Sequence, residues 1–292
     1  MFFYRRNSSR FIAALAAMAL LVAACSSDDA GSAGGESCEF GDLNLTTADT
    51  LTVATGEPVF PPWMGVGDDN FDVPESKTGF EGALVYELAA ILGFSDEQVV
   101  FVRTGFDEAI APGSKDWDFN IQQYSITDDR EEVVDFSLPY YVTSQSLVTY
   151  PDSPFADAST IDDLKDAKLG VAIGTTSLDF VEDVIQPNTE PSVYDENVDV
   201  EAAMNAGQID GLVVDLPTAY FVTAVQVEGS IIAGQFEADA AAPDEYGLLF
   251  ADGNSLVSCV DVVLGQMRDD GTLQSLEDEW LTQDGAVPII SG

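Results

Sequence analysis

The 292-residue sequence contains no histidine. Histidine triads, histidine metal sites and imidazole proton relays are therefore excluded. Basic residues are also scarce: 10 Lys plus Arg stand against 52 Asp plus Glu, for a formal charge of −42. Such a chain is repelled by phosphate, so nucleic acid is excluded as a partner. The sequence has no Walker lysine, no D-x-[DN]-x-[DN]-G calcium loop and no short-period repeat. Beyond residues 11–24 no stretch is long and apolar enough to span a bilayer. What remains is ample for a core, because 46% of residues are hydrophobic and 10% aromatic. Disorder driven by charge is thereby confined to short segments, and the length fits one large domain or two ordinary ones.

Residues 1–25 read as an export signal. Arg5, Arg6 and Arg10 precede the apolar run Phe11–Ala24, which ends in Val22-Ala23-Ala24-Cys25. Small residues directly before a cysteine resemble the bacterial lipobox, which implies that Cys25 is lipidated and becomes the first mature residue. An ordinary signal peptide with a chance cysteine is the alternative. Residues 26–47 then read as a linker, rich in Ser, Gly, Ala and Asp over Ser26–Ser37. Cleavage would remove three Arg and leave seven basic residues and a side-chain charge of −45. Two cysteines, Cys38 and Cys259, would remain. Export favours a disulfide between them over two buried thiols.

Downstream, β-branched runs alternate with helical periodicity. Strands are expected at Leu51–Thr55, Val99–Arg103, Phe119–Gln123, Val133–Ser137, Gln145–Tyr150, Leu169–Ile173, Gly211–Val214 and Tyr246–Phe250. Helices are expected at Phe80–Leu92, ended by Gly93, and at Val200–Ala206, Leu256–Arg268 and Thr272–Trp280. This alternation predicts parallel α/β sheets, with ligands at the C-terminal ends of strands. Two strand-end loops have chemical potential. Gln123-Tyr124-Ser125-Ile126-Thr127-Asp128-Asp129-Arg130 combines capping hydroxyls with an arginine suited to a carboxylate. Gly174-Thr175-Thr176-Ser177 is a strand-to-helix turn with free N–H groups. Each has a bland alternative, a surface ion pair in the first case and an ordinary βα turn in the second.

Ten segments in one order carry a resemblance. They are Leu51-Thr-Val-Ala-Thr55, Phe60-Pro-Pro-Trp63, Thr78-Gly-Phe-Glu81, Trp117-Asp-Phe-Asn120, Ser125–Arg130 and Val134–Tyr141. Gly170-Val171 with Gly174-Thr175-Thr176, Ile209–Asp215, Tyr246-Gly247 and Asp270–Leu273 complete the set. Together they resemble the solute-binding proteins of polar amino acid ABC importers, bacterial extracellular solute-binding protein family 3. The resemblance implies an α/β, two-lobed, type II periplasmic-binding-protein-like fold with a discontinuous first lobe. The expected divisions are 48–144 plus 242–292 for lobe 1 and 145–241 for lobe 2, with hinges near Tyr141–Leu147 and Phe236–Tyr246. It implies Arg130, Ser125 and Thr176 on a ligand α-carboxylate, and Asp215 with the backbone near Gln123 on an α-ammonium. Phe60 and Phe106 would wall the side chain, and Glu57 would face a cationic group. Gly56 departs from the pattern as an extra residue that could displace Glu57. The stretch Gly65–Lys77 is longer than the pattern and is expected to form a lid-like loop.

The function implied is an extracytoplasmic importer component, lipid-anchored to the outer face of the cell membrane and monomeric. It would serve an ABC permease with its ATPase subunit. No cofactor and no metal are implied. The expected ligand is a free cationic or polar neutral amino acid, because basic residues for an acidic side chain are few and Arg103 is the only candidate near Phe106. The alternatives are an enzyme on the same fold, cyclohexadienyl dehydratase-like, and a ligand-sensing domain. With four Lys and 52 acids, the surface resembles adaptation to salt. Thermal stability is expected to rise between roughly 0.05 and 2 M salt, as screening contracts to a few Å. Equal melting temperatures across that range would count against it.

Overall fold

The structure, a computed structural model, describes residues 38–67, 69–237, 244–281 and 287–292. The export signal, Cys25, the linker through residue 37 and part of the second expected hinge (238–243) lie outside the described residues.

The chain first lays down β1 (Leu51–Thr55), α1 (Phe80–Ile91), β2 (Val99–Arg103), α2 (Phe106–Ile110), β3 (Phe119–Asn120), α3 (Asp128–Glu131) and β4 (Val134–Phe136). It crosses through β5 (Tyr141–Thr143) into β6 (Gln145–Thr149), β7 (Leu169–Ala172), α4 (Thr176–Phe180), β8 (Ser192–Tyr194), α5 (Asn197–Asn205), β9 (Gly211–Asp215), α6 (Leu216–Phe221) and β10 (Ile231–Phe236). It returns through β11 (Asp244–Tyr246) to β12 (Leu249–Ala251), α7 (Leu256–Asp269) and α8 (Thr272–Trp280), and ends in β13 (Ile289–Ile290).

Strand pairing divides these elements into two lobes. The first sheet has the order β2-β1-β3-β12-β4, and the second β13-β10-β6-β9-β7-β8. In each, parallel neighbours need helical crossovers, and those helices cover both faces. The continuous burial of β1 and β6 follows from this double cover. Leu51, Val53, Phe80, Leu84, Leu88, Phe250 and Leu264 pack on one face of the first sheet, and Ala54, Trp117, Tyr124 and Phe136 on the other. The second sheet has its own two clusters, one around Leu164, Val171 and Val181, the other around Val148, Met204 and Val214. Each large apolar side chain so buried contributes about 1.5–3 kcal/mol. Between the lobes, β5 and β11 pair antiparallel, Tyr141 opposite Tyr246 and Thr143 opposite Asp244.

Three expectations are corrected. The strand expected over Phe119–Gln123 stops at Asn120, because Gln123 turns out of the sheet with φ 52°. The extended run Tyr246–Phe250 is two strands broken at Gly247-Leu248, one for each of two different pairings. The C-terminal residues do not all belong to lobe 1. Ile289 and Ile290 pair with Gln235 and Phe236 of the second sheet. Buried Ile290 fills the space above Gly234, where a Cβ would lie 2.7 Å from its Cγ1.

Cys38 and Cys259 form a disulfide across 221 residues of sequence, fastening the start of the described chain to α7. A cross-link over so long a loop removes unfolded-state freedom. The double substitution Cys38→Ser, Cys259→Ser is expected to lower the melting temperature by roughly 5–15 °C. Calorimetry under oxidising conditions measures it, and an unchanged value would mean the cross-link adds no stability.

Candidate functional site

The site begins where β3 leaves its sheet. Ile121 N–H still donates to Ala54 O at 3.0 Å, and Gln123 then adopts a left-handed conformation. That turn is held from below by Glu81 of α1. Its carboxylate accepts from Gln123 N–H at 3.0 Å, from the Gln123 side-chain amide and from Tyr140 Oη. Glu81 is 1% exposed, and burial outweighs these bonds and pushes its pKa up to about 7.

The same turn delivers Ser125 and α3 to the cleft. Thr127 caps α3, its Oγ1 accepting from Arg130 N–H at 3.3 Å. The Arg130 guanidinium then points between the lobes. It donates through Nη1 to Ser125 O at 2.6 Å, and through Nη2 to Gly174 O of the other lobe at 2.8 Å. It lies 5.5 Å from the Phe106 ring, which stacks on Tyr124 with centroids 4.5 Å apart. Arg130 is 8% exposed, and burial lowers its pKa. Ion pairs among the described residues are Lys77–Asp96 and Arg103–Asp72, so this buried cation has no carboxylate partner among them.

The second lobe contributes from two strand ends. After β7 the chain turns at Gly174 with φ 70°, where a Cβ would lie 2.3 Å from Asp107 Oδ1. Glycine adopts this left-handed turn, which sets its carbonyl against Arg130, without strain. Thr175 caps α4, its Oγ1 accepting from Leu178 N–H at 3.3 Å, and the Thr176 hydroxyl lies 3.2 Å from that of Ser125. At the end of β9, Asp215 caps α6, accepting from Thr218 N–H at 3.0 Å. Burial pushes the Asp215 pKa up to about 6. Thr218 Oγ1 accepts in turn from Trp63 Nε1 across the cleft at 2.9 Å, and Phe60 stacks on Phe221 at 5.8 Å. These contacts hold the lobes closed on each other.

Between them lies a cavity of about 430 Å³. Arg130, Ser125, Thr176, Asp215, Gln123, Glu57, Phe60 and Phe106 all line it. Glu57 reaches it despite Gly56, which is buried and accepts from the Arg103 guanidinium. Arg103 is also paired with Asp72 at 2.9 Å, which fixes part of the Gly65–Lys77 loop and occupies the second expected cation. Six carboxyl-bearing residues line the cavity: Glu57, Glu108, Asp195, Glu196, Glu201 and Asp215. Sequence reasoning missed Glu81, Gln145 and Glu201. A signal existed for Glu81, a carboxylate in register with the apolar stripe Leu84, Val85 and Leu88 of α1. Gln145 donates to Asp244 and accepts from Ser177 Oγ at 2.7 Å. Nothing local marked it, because it is one residue of a fully buried strand.

Comparison with known proteins agrees with this architecture. Residues 51–283 match the family described as bacterial extracellular solute-binding proteins, family 3. The chain is similar to the L-cystine-binding protein TcyJ of Escherichia coli (strain K12), 30% identical over 231 residues, 78% of this chain and 81% of that one. It is also similar to the ABC transporter arginine-binding protein 1 of Escherichia coli (strain K12), 26% identical over 235 residues, 77% of this chain and 88% of that one. Among solved structures, an ancestral arginine-binding protein bound to arginine superposes with a TM-score of 0.66 at 27% identity, covering 80% of this chain and 99% of that one.

The buried carboxyl groups make stability depend on pH. Glu81 and Glu201 rise from 4.5 to about 7, and Asp215 from 3.8 to about 6. Each binds its proton more tightly folded than unfolded. The stability this contributes is complete below the unfolded values and is lost as pH rises through about 6 to 7. Melting of the ligand-free protein is expected to fall between about pH 5 and pH 8, and the fall to be smaller for Glu201→Gln. A flat profile, or one rising with pH, would contradict the assignment.

Proposed function

From the membership of this chain in the bacterial extracellular solute-binding proteins, family 3, we propose that it is the binding component of an ABC importer and holds one free polar or cationic amino acid between its lobes. The observation that carries this is Arg130, a buried cation lining the cavity with no carboxylate partner among the described residues. A ligand carboxylate supplies the missing charge. The Arg fork is suited to bind it in two places, with the Ser125 hydroxyl and Thr176 beside it. Asp215 takes the α-ammonium together with the backbone at Gln123, and Glu81 acts by holding that backbone in place. Phe60 and Phe106 flank the side chain, and Glu57 faces its polar end.

A zwitterion presents both charges at a fixed separation. Arg130 stands on the first lobe and Asp215 on the second, so both charges are met only when the lobes are closed. Closure is a hinge motion about β5 and β11. We assign 48–67 and 69–144 with 244–281 to the lobe carrying Arg130, and 145–237 with the C-terminal strand to the other. The protein acts as a monomer outside the cytoplasmic membrane, tethered through lipid on Cys25, and hands its ligand to a permease with its ATPase subunit.

An enzyme on the same fold is the second reading, favoured by two carboxyl groups in the cavity, Asp215 and Glu201, with pKa values raised to about 6 and 7. Turnover of prephenate or arogenate would replace the transport reading with this one.

The decisive substitution is Arg130→Ala. Calorimetric titration with the twenty amino acids is expected to show binding to the natural chain and at least a ~100-fold loss in the variant, the loss of a bidentate charge-assisted pair. Its ligand-free melting temperature is expected to stay within a few degrees of the parent. Retained affinity would remove Arg130 from the site.

A further inference from the structure

The cavity extends past the residues assigned above. On α5, Glu201 is 8% exposed and lines the cavity, yet its carboxylate has no hydrogen-bonding or ionic partner among the described residues. Asn197, one turn earlier on α5, lines the cavity as well, with Gln226 and Thr218 following β9. A carboxylate largely withdrawn from bulk water into a cleft without a partner is costly. Burial alone pushes its pKa up to about 7, with no charged neighbour contributing.

The surrounding charge has one sign. Glu196 and Asp195 precede α5, and Glu108 stands on the opposite lobe. Neither of the two cations lining the cavity is available to Glu201, one being ion-paired and the other assigned to the ligand α-carboxylate. Arg103 is paired with Asp72, and Arg130 is bonded to Ser125 O and Gly174 O beside Phe106. We propose that Glu201 is the floor of a distal subsite that takes the positively charged end of an elongated ligand, so that the protein selects amino acids with a cationic side-chain terminus. This rests on the amino acid reading above and adds the residue that sets specificity. A ligand whose far end carries a carboxylate meets Glu201 beside neutral Asn197, Gln226 and Thr218 and finds no unpaired cation there, and a neutral far end leaves Glu201 uncompensated. A cation satisfies Glu201 with a charge-assisted bond in a site already cleared of competing partners.

Calorimetric titration of the mature chain and of Glu201→Gln with arginine, citrulline and glutamate tests this. Citrulline has the length of arginine without its charge. The natural chain is expected to prefer arginine to citrulline. Glu201→Gln is expected to lose roughly 10- to 100-fold in arginine affinity, the worth of one charge-assisted bond, and to keep citrulline affinity within about threefold. Glu201→Asp, which keeps the charge, should retain the preference. The variant Glu201→Gln should melt at or above the parent, because it removes an uncompensated buried charge. An unchanged arginine-to-citrulline ratio, a tighter complex with glutamate than with arginine, or a lowered melting temperature would overturn the proposal. Arg130→Ala in parallel separates the two readings. If it abolishes arginine and citrulline binding alike while Glu201→Gln changes neither, the amino acid reading stands and the subsite falls. If none of the three ligands binds the natural chain, both fall.

Discussion

A buried guanidinium held by two carbonyl oxygens, one from each lobe, is the interaction on which the site depends. Ser125 O and Gly174 O orient Arg130 but leave its charge uncompensated. Carbonyl dipoles steady a cation without neutralising it, so the folded chain retains an electrostatic deficit at the point where the lobes meet. Much of the nearby backbone serves that placement. Gln123 leaves its sheet, Thr127 caps a helix of four residues, and Gly174 takes a left-handed conformation that favours glycine.

The opposite charge is handled in the same manner. Asp215 accepts from one helix N-terminal N–H and is otherwise raised toward neutrality by burial. Nearby, the Glu81 carboxylate is satisfied by Gln123 and Tyr140 and does not line the cavity. Two neighbouring carboxyl groups thus have different jobs. One is satisfied internally and fixes a backbone turn, while the other keeps capacity in reserve. Burial is common to both, and the number of donors distinguishes them.

Much of this was legible in the sequence. Helix α1 follows from the spacing of Phe80, Leu84 and Leu88 with Gly93 behind it, and β1 and β2 from their β-branched apolar runs. The eight candidate site residues converge because they lie on the segments that end or follow β1, β2, β3, β7 and β9, where α/β sheets gather their loops. Other features depended on tertiary context that no local pattern carries. The short strand β13 has two residues and forms because Gly234 leaves room for Ile290. Glu201 reads on α5 as one more acid among 52. Its burial comes from packing against other elements, so the acidic composition concealed it. Scarcity worked the other way for arginine, where Arg130 is one of ten basic residues in the chain and was easy to find.

The C-terminal strand has a mechanical consequence. Joining β13 to β10 makes the chain pass between the lobes a third time, after the passages at β5 and β11. Pairing of β13 with β10 adds a third tie between the lobes, closed by backbone hydrogen bonds, and so narrows the set of relative positions open to the separated halves. The configurational entropy surrendered when they come together is correspondingly smaller. Two residues of parallel pairing at the end of the chain act as a guide rail for the whole molecule.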